Sequence, residues 1–265
     1  MYWAKSADTR DFGHGRSEFP RTNRQCSPYH RRGEALPDPM PFPDVGRLWQ
    51  TMIYFEAVPV VACIQRTLGL NPPPATVMPQ GELIMDLTQP DTVALWGALD
   101  DVVMGGMSRS RLVPDPAGAR FEGTVTTENN GGFASIRTRN LEPPLDVSAA
   151  TGLVLRVRGD GKRYKFLLRD SSGWDSLAYS AQFDTQPATW VTVKIPFADL
   201  VPVFRAKTVP NAPPINLRRV VSLQIMLSKF AYDGQRNPTF QPGDFRLQIS
   251  TISTYREEPS PTLEK

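Results

Sequence analysis

From residue 81 onward, apolar and polar residues alternate with a period of two, and this pattern constrains the fold more than any other feature of the chain. The stretch "GLVLRVRGDG" places Leu153, Leu155 and Val157 on one face and charged residues on the other. Because strand side chains point alternately to two faces, this spacing predicts a half-buried β-strand. Short alternating stretches that end in Gly, Pro or Asp turns indicate antiparallel strands, since parallel strands need long crossover helices.

About ten stretches of the chain follow this pattern. They are "ELIMDL", "SRSRLVP", "ARFEGTVT", "FASIRTRN", "GLVLRVRGDG", "KRYKFLLRDSSG", "SLAYSAQFD", "WVTVKIPF", "VVSLQIMLS" and "DFRLQISTIS". Short strands with one apolar face each bury that face when two sheets pack against each other. The sequence therefore predicts an all-β fold, a jelly-roll sandwich over residues 81–256.

The composition excludes several classes of function. The chain has 30 basic and 27 acidic residues and a formal net charge of +3, which gives no broad basic face for nucleic acid. Its two histidines are His14 and His30, so residues 31–265 cannot form a Ser-His-Asp triad or a histidine-ligated zinc site. Cys26 and Cys63 are too few for a disulfide framework. We expect no catalytic residue, no metal site and no cofactor.

The chain before the β-rich zone has two parts. Residues 1–44 are rich in arginine and proline and predict a disordered or extended tail, and residues 257–265 predict a second, short tail. Residues 45–80 combine an apolar segment, "VGRLWQTMIYFEAVPVVACIQRTLGL", with a proline-rich linker. The apolar residues of this segment recur at helical spacing, and Pro59 would kink or split the helix.

A helix that is apolar nearly all round needs cover from its own domain, a partner or a membrane surface. All three remain open, and Arg47 near the start of the helix would suit a membrane interface. The predicted contact residues for a partner or membrane are Trp49, Met52, Ile53, Tyr54 and Phe55.

Two glycine pairs lie close together in "DDVVMGGMSRSRL" and "ENNGGFASIRTRN". Glycine beside Asn or Asp allows positive φ and close backbone approach, so both stretches predict tight corners that meet at one rim of the sandwich. Structural turns, a calcium site and an acid/base pair from Asp100, Asp101 and Glu128 are the alternatives. The candidate binding residues are Asp100, Asp101, Met104, Gly105, Gly106, Ser108, Asn129, Asn130, Gly131, Gly132, Phe133 and Arg137.

The two corners resemble the signature of a known family. "WGALDDVVMGGMSRSRL" followed by "FEGTVTTENNGGFASIRTR" is similar to the pattern of the complex I intermediate-associated protein 30 family. The resemblance extends from Leu83 to Tyr255 and implies a galactose-binding-like β-sandwich related to carbohydrate-binding modules. It also implies a non-catalytic, chaperone-like role in assembling respiratory complex I or, as in relatives from phototrophs, a photosynthetic complex.

These observations favour a non-enzymatic assembly factor over two alternatives. Its partners would be subunits or intermediates of a membrane electron-transfer complex, with peripheral membrane contact through residues 45–70. Its compartment would be the cytoplasm, the mitochondrial matrix or the chloroplast stroma. The first alternative is a carbohydrate-binding module that uses Trp174, Tyr179 and Trp190 as sugar platforms.

The second alternative is an RNA-associated factor. Several basic residues in the predicted strands point away from the core and could share one solvated face: Arg156, Arg158, Lys165, Arg169, Lys194 and Arg246. The near balance of basic and acidic residues argues against nucleic acid as a partner.

Overall fold

The computed structural model describes residues 44–55, 63–65, 67–69, 73–80, 82–173 and 175–257. Its strands are β1 Leu83–Asp86, β2 Trp96–Ala98, β3 Arg109–Val113, β4 Ala119–Val125, β5 Phe133–Thr138, β6 Gly152–Arg158, β7 Arg163–Arg169, β8 Ala178–Asp184, β9 Trp190–Pro196, β10 Val201–Phe204, β11 Lys207–Thr208, β12 Ser222–Ser228 and β13 Gly243–Tyr255. Helices are α1 Val45–Tyr54 and α2 Pro90–Val93, and short 3₁₀ turns cover Asp101–Met104, Glu128–Asn130 and Phe197–Asp199.

The strands form two antiparallel sheets that face each other. The first sheet has the order β3-β4-β13-β6-β9, and β1 also pairs with β13. The second sheet has the order β11-β10-β8-β7-β12-β5-β2. The predicted all-β jelly-roll sandwich is confirmed, and each of the stretches with period-two alternation contains a strand.

The core lies between the sheets and consists of the inward rows of their central strands. Leu155 on β6 and Leu247 on β13 line it from the first sheet, and both are fully buried. Phe166 on β7 and Leu223 on β12 line it from the second sheet and are also fully buried. The rows follow from strand geometry, because every second side chain of a strand points to the same face.

The sequence pattern did not predict three short strands. Strand β2 has three residues, β11 has two, and β10 contains Pro202. A period of two cannot be recognised in so few residues, and proline normally argues against a strand. These strands extend the second sheet at both of its edges and so widen its outer face.

Helix α1 lies against the sandwich near β2. Its first turn is capped by the Asp44 side chain, which accepts a hydrogen bond from the Arg47 amide at 3.0 Å. At its end, the Tyr54 ring covers Gly97 so closely that a Cβ there would lie 2.3 Å from the ring. The predicted kink at Pro59 lies outside the described residues. Among the described helices, none is long and apolar enough to cross a membrane.

Candidate functional site

The Asp101 carboxylate joins the two glycine corners. Its Oδ1 accepts a hydrogen bond from the Ser108 amide at 2.9 Å, and its Oδ2 accepts one from the Ser108 hydroxyl at 2.6 Å. The same Oδ2 accepts hydrogen bonds from the amides of Gly132 at 2.7 Å and Phe133 at 3.2 Å. Asp101 is fully buried, so these contacts satisfy backbone donors that have no access to water.

Glycine is required where the chain approaches this carboxylate. A Cβ at Gly106 would lie 2.3 Å from the Asp101 Cγ, and a Cβ at Gly131 would lie 2.5 Å from Oδ2. Gly132 has a φ of 132°, which side-chain-bearing residues rarely adopt. One glycine of each pair therefore gives the carboxylate room to contact both corners.

The neighbouring Asp100 connects the corners to helix α1. It is buried and accepts hydrogen bonds from the Ser110 hydroxyl at 2.5 Å and from the Ser135 amide at 3.1 Å. Arg47 of α1 forms an ion pair with it at 3.0 Å. Burial raises the pKa of the Asp100 carboxyl, and the hydrogen bonds oppose that shift.

These contacts bear on the proposed chemistry of the corners. Both oxygens of Asp100 and of Asp101 accept hydrogen bonds from N–H or O–H groups of described residues. Glu128 is exposed at the surface of the second corner. The two aspartates are therefore committed to holding backbone in place, which fits neither an acid/base pair nor a calcium ligand set.

The two corners form one wall of a groove on the outer face of the second sheet. The groove has a volume of about 550 Å³. Its floor is built by outward side chains of β5, β7 and β12, and its far wall by β8 and β10 together with the residues that follow β10. The predicted binding residues that line it are Met104, Asn130, Gly131, Gly132, Phe133 and Arg137.

The other predicted binding residues do not line the groove. They are Asp100, Asp101, Gly105, Gly106, Ser108 and Asn129. Asp100, Asp101 and Ser108 are buried, and they connect the corners to each other. A binding role for any of the twelve residues stays a prediction.

Buried cations occupy the groove floor. Arg137 is 3% exposed and Lys165 is 6% exposed, although both point away from the core. Burial lowers the pKa of Arg137 to about 10 and that of Lys165 to about 8. Burial, with the neighbouring charge of Arg137, lowers the pKa of Arg169 to about 9. The fold thus keeps three positive charges in a poorly solvated place.

A chain of hydrogen bonds connects this floor to the corners. Arg169 donates to the Gln224 side-chain oxygen at 2.7 Å, and the Gln224 amide donates to the Ser135 hydroxyl at 2.9 Å. The Ser135 hydroxyl donates to the Leu99 carbonyl, and the Ser135 amide donates to Asp100. Floor and corners are therefore one connected polar structure.

The six basic residues considered for an RNA-associated role do not share one face. Arg156, Arg158, Lys194 and Arg246 belong to strands of the first sheet, whereas Lys165 and Arg169 belong to the second sheet. Alternation shows which residues point outward from a sheet, but not which sheet carries them or whether loops enclose that face. This separation removes the surface on which an RNA-associated role depended.

Tyr179 and Trp190, two of the residues considered as sugar platforms, do not line the groove. Tyr179 is 2% exposed, and its hydroxyl donates to the Pro213 carbonyl at 2.8 Å. Trp190 lies on the first sheet, where the Arg156 guanidinium is 5.5 Å from its ring centroid. Trp174 lies outside the described residues.

Sequence reasoning missed several residues of the groove: Lys165, Arg169, Gln224, Met226 and Tyr232. One signal was available, because Leu167 lies between Lys165 and Arg169 in the outward row of β7. An apolar residue between two charged ones in an outward row indicates that the face is partly covered.

The predicted contact residues of α1 divide into two groups. Tyr54 donates a hydrogen bond to the Ala94 carbonyl at 3.1 Å, and the Phe55 ring lies 5.9 Å from the Arg137 guanidinium. Trp49 is 52% exposed, and Met52 and Ile53 are half-buried. Arg47 pairs with Asp100 and is therefore engaged by the chain's own domain.

Two solved structures resemble this chain in fold, with low sequence identity. One is a family 11 carbohydrate-binding module from Clostridium thermocellum in complex with a mixed-linked tetrasaccharide. It has 18% identity and a TM-score of 0.48, over 69% of this chain and all of that one. Another is an agarase with 7% identity and a TM-score of 0.43, over 70% of this chain and 30% of that one.

Two relatives match in sequence. An uncharacterized protein of Schizosaccharomyces pombe is 28% identical over 173 residues, which cover 58% of this chain and 75% of that protein. The mitochondrial complex I intermediate-associated protein 30 of Drosophila melanogaster is 27% identical over 168 residues, which cover 56% of this chain and 57% of that protein. The family pattern of complex I intermediate-associated protein 30 matches residues 85–249, and the chain belongs to this family.

Proposed function

We propose that this protein is a non-catalytic assembly factor that holds a client subunit while a membrane-bound electron-transfer complex is built. The observation that carries the proposal is the family match over residues 85–249, which spans both glycine corners. The relative in Drosophila melanogaster is named for an intermediate of complex I and as mitochondrial. Its name favours respiratory complex I as the client and the mitochondrion as the compartment.

The geometry of the corners supports a holding role without catalysis. Asp100 and Asp101 already accept hydrogen bonds from the backbone and from serine hydroxyls, so neither is positioned as a general base. A rigid wall beside an open groove suits the binding of another chain, because binding costs less when the surface is already ordered.

Helix α1 offers a second contact surface. Trp49 and Val45 are exposed on it, while Arg47 and Tyr54 attach it to the sandwich. An exposed tryptophan on an amphipathic helix fits either a protein partner or the boundary of a membrane. We propose that this face brings the groove close to a membrane-associated intermediate.

The test uses the tagged full-length chain in its source cells, with the native copy deleted. Native gels of solubilised membranes should show the chain with an intermediate that is smaller than the mature complex, and deletion should reduce the mature complex. Gels for respiratory complex I and, where the cells make them, for photosynthetic complexes identify the client. Intact levels of every large membrane complex after deletion would refute the role.

A pair of variants separates binding from folding in the same experiment. Asn130→Ala changes an exposed residue on the groove wall, and we expect it to fold and to recover less client. Asp244→Asn changes an exposed carboxylate on β13, away from the groove, and should recover client as the unmodified chain does. If both variants recover the same amount of client, the proposal that this groove wall binds the client is contradicted.

A further inference from the structure

The three cations of the groove floor lie on the two strands that flank β12. Arg137 is on β5, Lys165 and Arg169 are on β7, and β12 pairs with both strands and places Gln224 between them. The lowered pKa values of the cations show that their burial has a free-energy cost. An anion bound among them would offset that cost, because opposite charges attract strongly where water is scarce.

Few of the described residues around Lys165 and Arg169 carry a negative charge. Among the described residues that line the groove, Asp175 is the one carboxylate; it forms an ion pair with Arg205 at the rim, and its charge partly opposes the lowering of the Arg169 pKa. The Nε atom of Arg169 is buried, and no described residue accepts a hydrogen bond from it. Lys165 donates to the Ala231 carbonyl and lies 4.9 Å from the centroid of the Tyr232 ring, and neither group carries a formal charge.

A second cavity has a different charge pattern. It also has a volume of about 550 Å³ and lies beside β1. Its described lining combines one cation, Arg139, with the acids Asp86 and Asp91. Positive charge therefore does not accumulate in every cavity of this protein.

The rest of the groove is mostly apolar. Leu167 and Met226 lie on the floor, Phe133 on the near wall, and Met104 is 66% exposed at the mouth. Methionine side chains adapt to partners of different shape and recur at surfaces that bind peptides. The Lys165 ammonium lies over the ring of Tyr232, so this ring is not an open face on which a neutral sugar could stack.

We propose that the groove binds an extended segment of the client polypeptide in which a glutamate or aspartate is flanked by aliphatic residues. The carboxylate lies over Lys165 and Arg169, and the aliphatic neighbours pack against Leu167 and Met226. The groove volume is within the usual range of ligand sites, about 300–1,000 Å³. This inference rests on the proposed function, since it names the part of the client that is held.

The first test uses two short peptides and the ¹⁵N-labelled full-length chain. N-acetyl-Val-Glu-Val-amide should shift the backbone amide resonances of β5, β7 and β12 in an NMR titration. N-acetyl-Val-Gln-Val-amide, which has the same shape without the charge, should bind at least about tenfold more weakly, because hydrogen bonds to charged groups are the stronger ones. Equal affinity of the two peptides, or shifts confined to other strands, would overturn the proposal.

Two lysine variants test whether the preference for the glutamate peptide depends on the groove floor. Lys165→Met removes a floor cation at similar length and should abolish the preference for the glutamate peptide. Lys194→Met removes an exposed lysine from the first sheet and should leave the preference unchanged. Circular dichroism and thermal melts establish that both variants are folded. A preference that survives Lys165→Met would overturn the proposal.

Further measurements distinguish a peptide ligand from a small anion. They also distinguish peptide binding in the groove from the assembly role of the protein. Inorganic phosphate or oligogalacturonate that occupies the groove, while the glutamate peptide does not, would overturn the proposal in favour of a small-anion site. In source-cell membranes, a Lys165→Met chain that still recovers the client would overturn the inference and leave the assembly role standing. If the unmodified chain recovers no client, the assembly role is refuted. The peptide titration would still show whether the groove binds the glutamate peptide.

Discussion

Replacing Asp101 by alanine removes the group that holds the two glycine corners together. Three backbone amides, those of Ser108, Gly132 and Phe133, then lose their acceptor in a buried place, and the Ser108 hydroxyl loses one of its acceptors. Asp101 is fully buried, so water does not reach these donors without opening the corner. The expected result is a large loss of stability with the strands still in their native order.

The size of this loss follows from the number of donors. A buried donor without a partner costs about 1–3 kcal/mol, and the carboxylate was itself costly to bury, so the lower end applies. The Ser108 hydroxyl keeps the Thr126 carbonyl as an acceptor at 3.4 Å, so the three amides, at about 1 kcal/mol each, predict a loss of about 3 kcal/mol in the free energy of unfolding. That is a large part of the total of about 5–15 kcal/mol that a typical domain has.

Urea denaturation followed by tryptophan fluorescence measures this loss. With a slope of about 2–3 kcal/mol per molar urea, the midpoint of Asp101→Ala should fall by about 1–1.5 M at an unchanged slope. Asp101→Asn keeps one acceptor oxygen and should lose about half as much. Asp244→Asn, which affects one exposed contact with Thr124, is the control and should shift the midpoint little. An Asp101→Ala midpoint within the error of the unmodified chain would refute the role of this carboxylate.

Three further predictions concern the same rim and groove. Gly131→Ala should destabilise the protein by about 2 kcal/mol more than Gly173→Ala in urea denaturation, because its Cβ meets Asp101 Oδ2 at 2.5 Å, whereas a Cβ at Gly173 meets no atom closer than 3.6 Å; equal losses would contradict this contact. Gly132→Val should leave the domain largely unfolded in circular dichroism, because a β-branched residue does not adopt a φ of 132°; a thermal melt like that of the unmodified chain would contradict the tight corner. Lys165→Met should raise stability at pH 7 by up to about 3 kcal/mol, because burial lowers the pKa of this amine from 10.5 to about 8. The native state releases this proton first as the pH rises, so the advantage of the variant should shrink between about pH 8 and 10.5, and a constant advantage would contradict the cause.

The sandwich was predictable because its core rows repeat with a period of two. In β6 and β12, every inward residue is apolar, so the pattern predicted both the strands and the faces that they bury. The corners were also predictable as turns, since glycine pairs beside Asn and Asp indicate positive φ. The contact between them depends on one buried carboxylate, Asp101, and aspartate in a loop is ordinarily exposed.

The groove was not predictable in the same way. Alternation placed Lys165 and Arg169 outward from their strand, and an outward cation is ordinarily solvated. Their burial arises from loops that rise around the second sheet, and those loops come from distant parts of the chain. The attachment of α1 could not be predicted either, because Arg47 and Asp100 are separated by 53 positions in sequence.

The ion pair between Arg47 and Asp100 attaches helix α1 to the sandwich. Asp100 is 1% exposed, and its cation comes from a helix that precedes the family match. A fragment cut at residue 81 would retain all the strands but lose the Arg47 guanidinium, so the buried Asp100 carboxylate would keep only its hydrogen bonds from Ser110 and Ser135. We therefore expect a fragment that begins at Asp44, where the helix is capped, to be more stable than one that begins at residue 81.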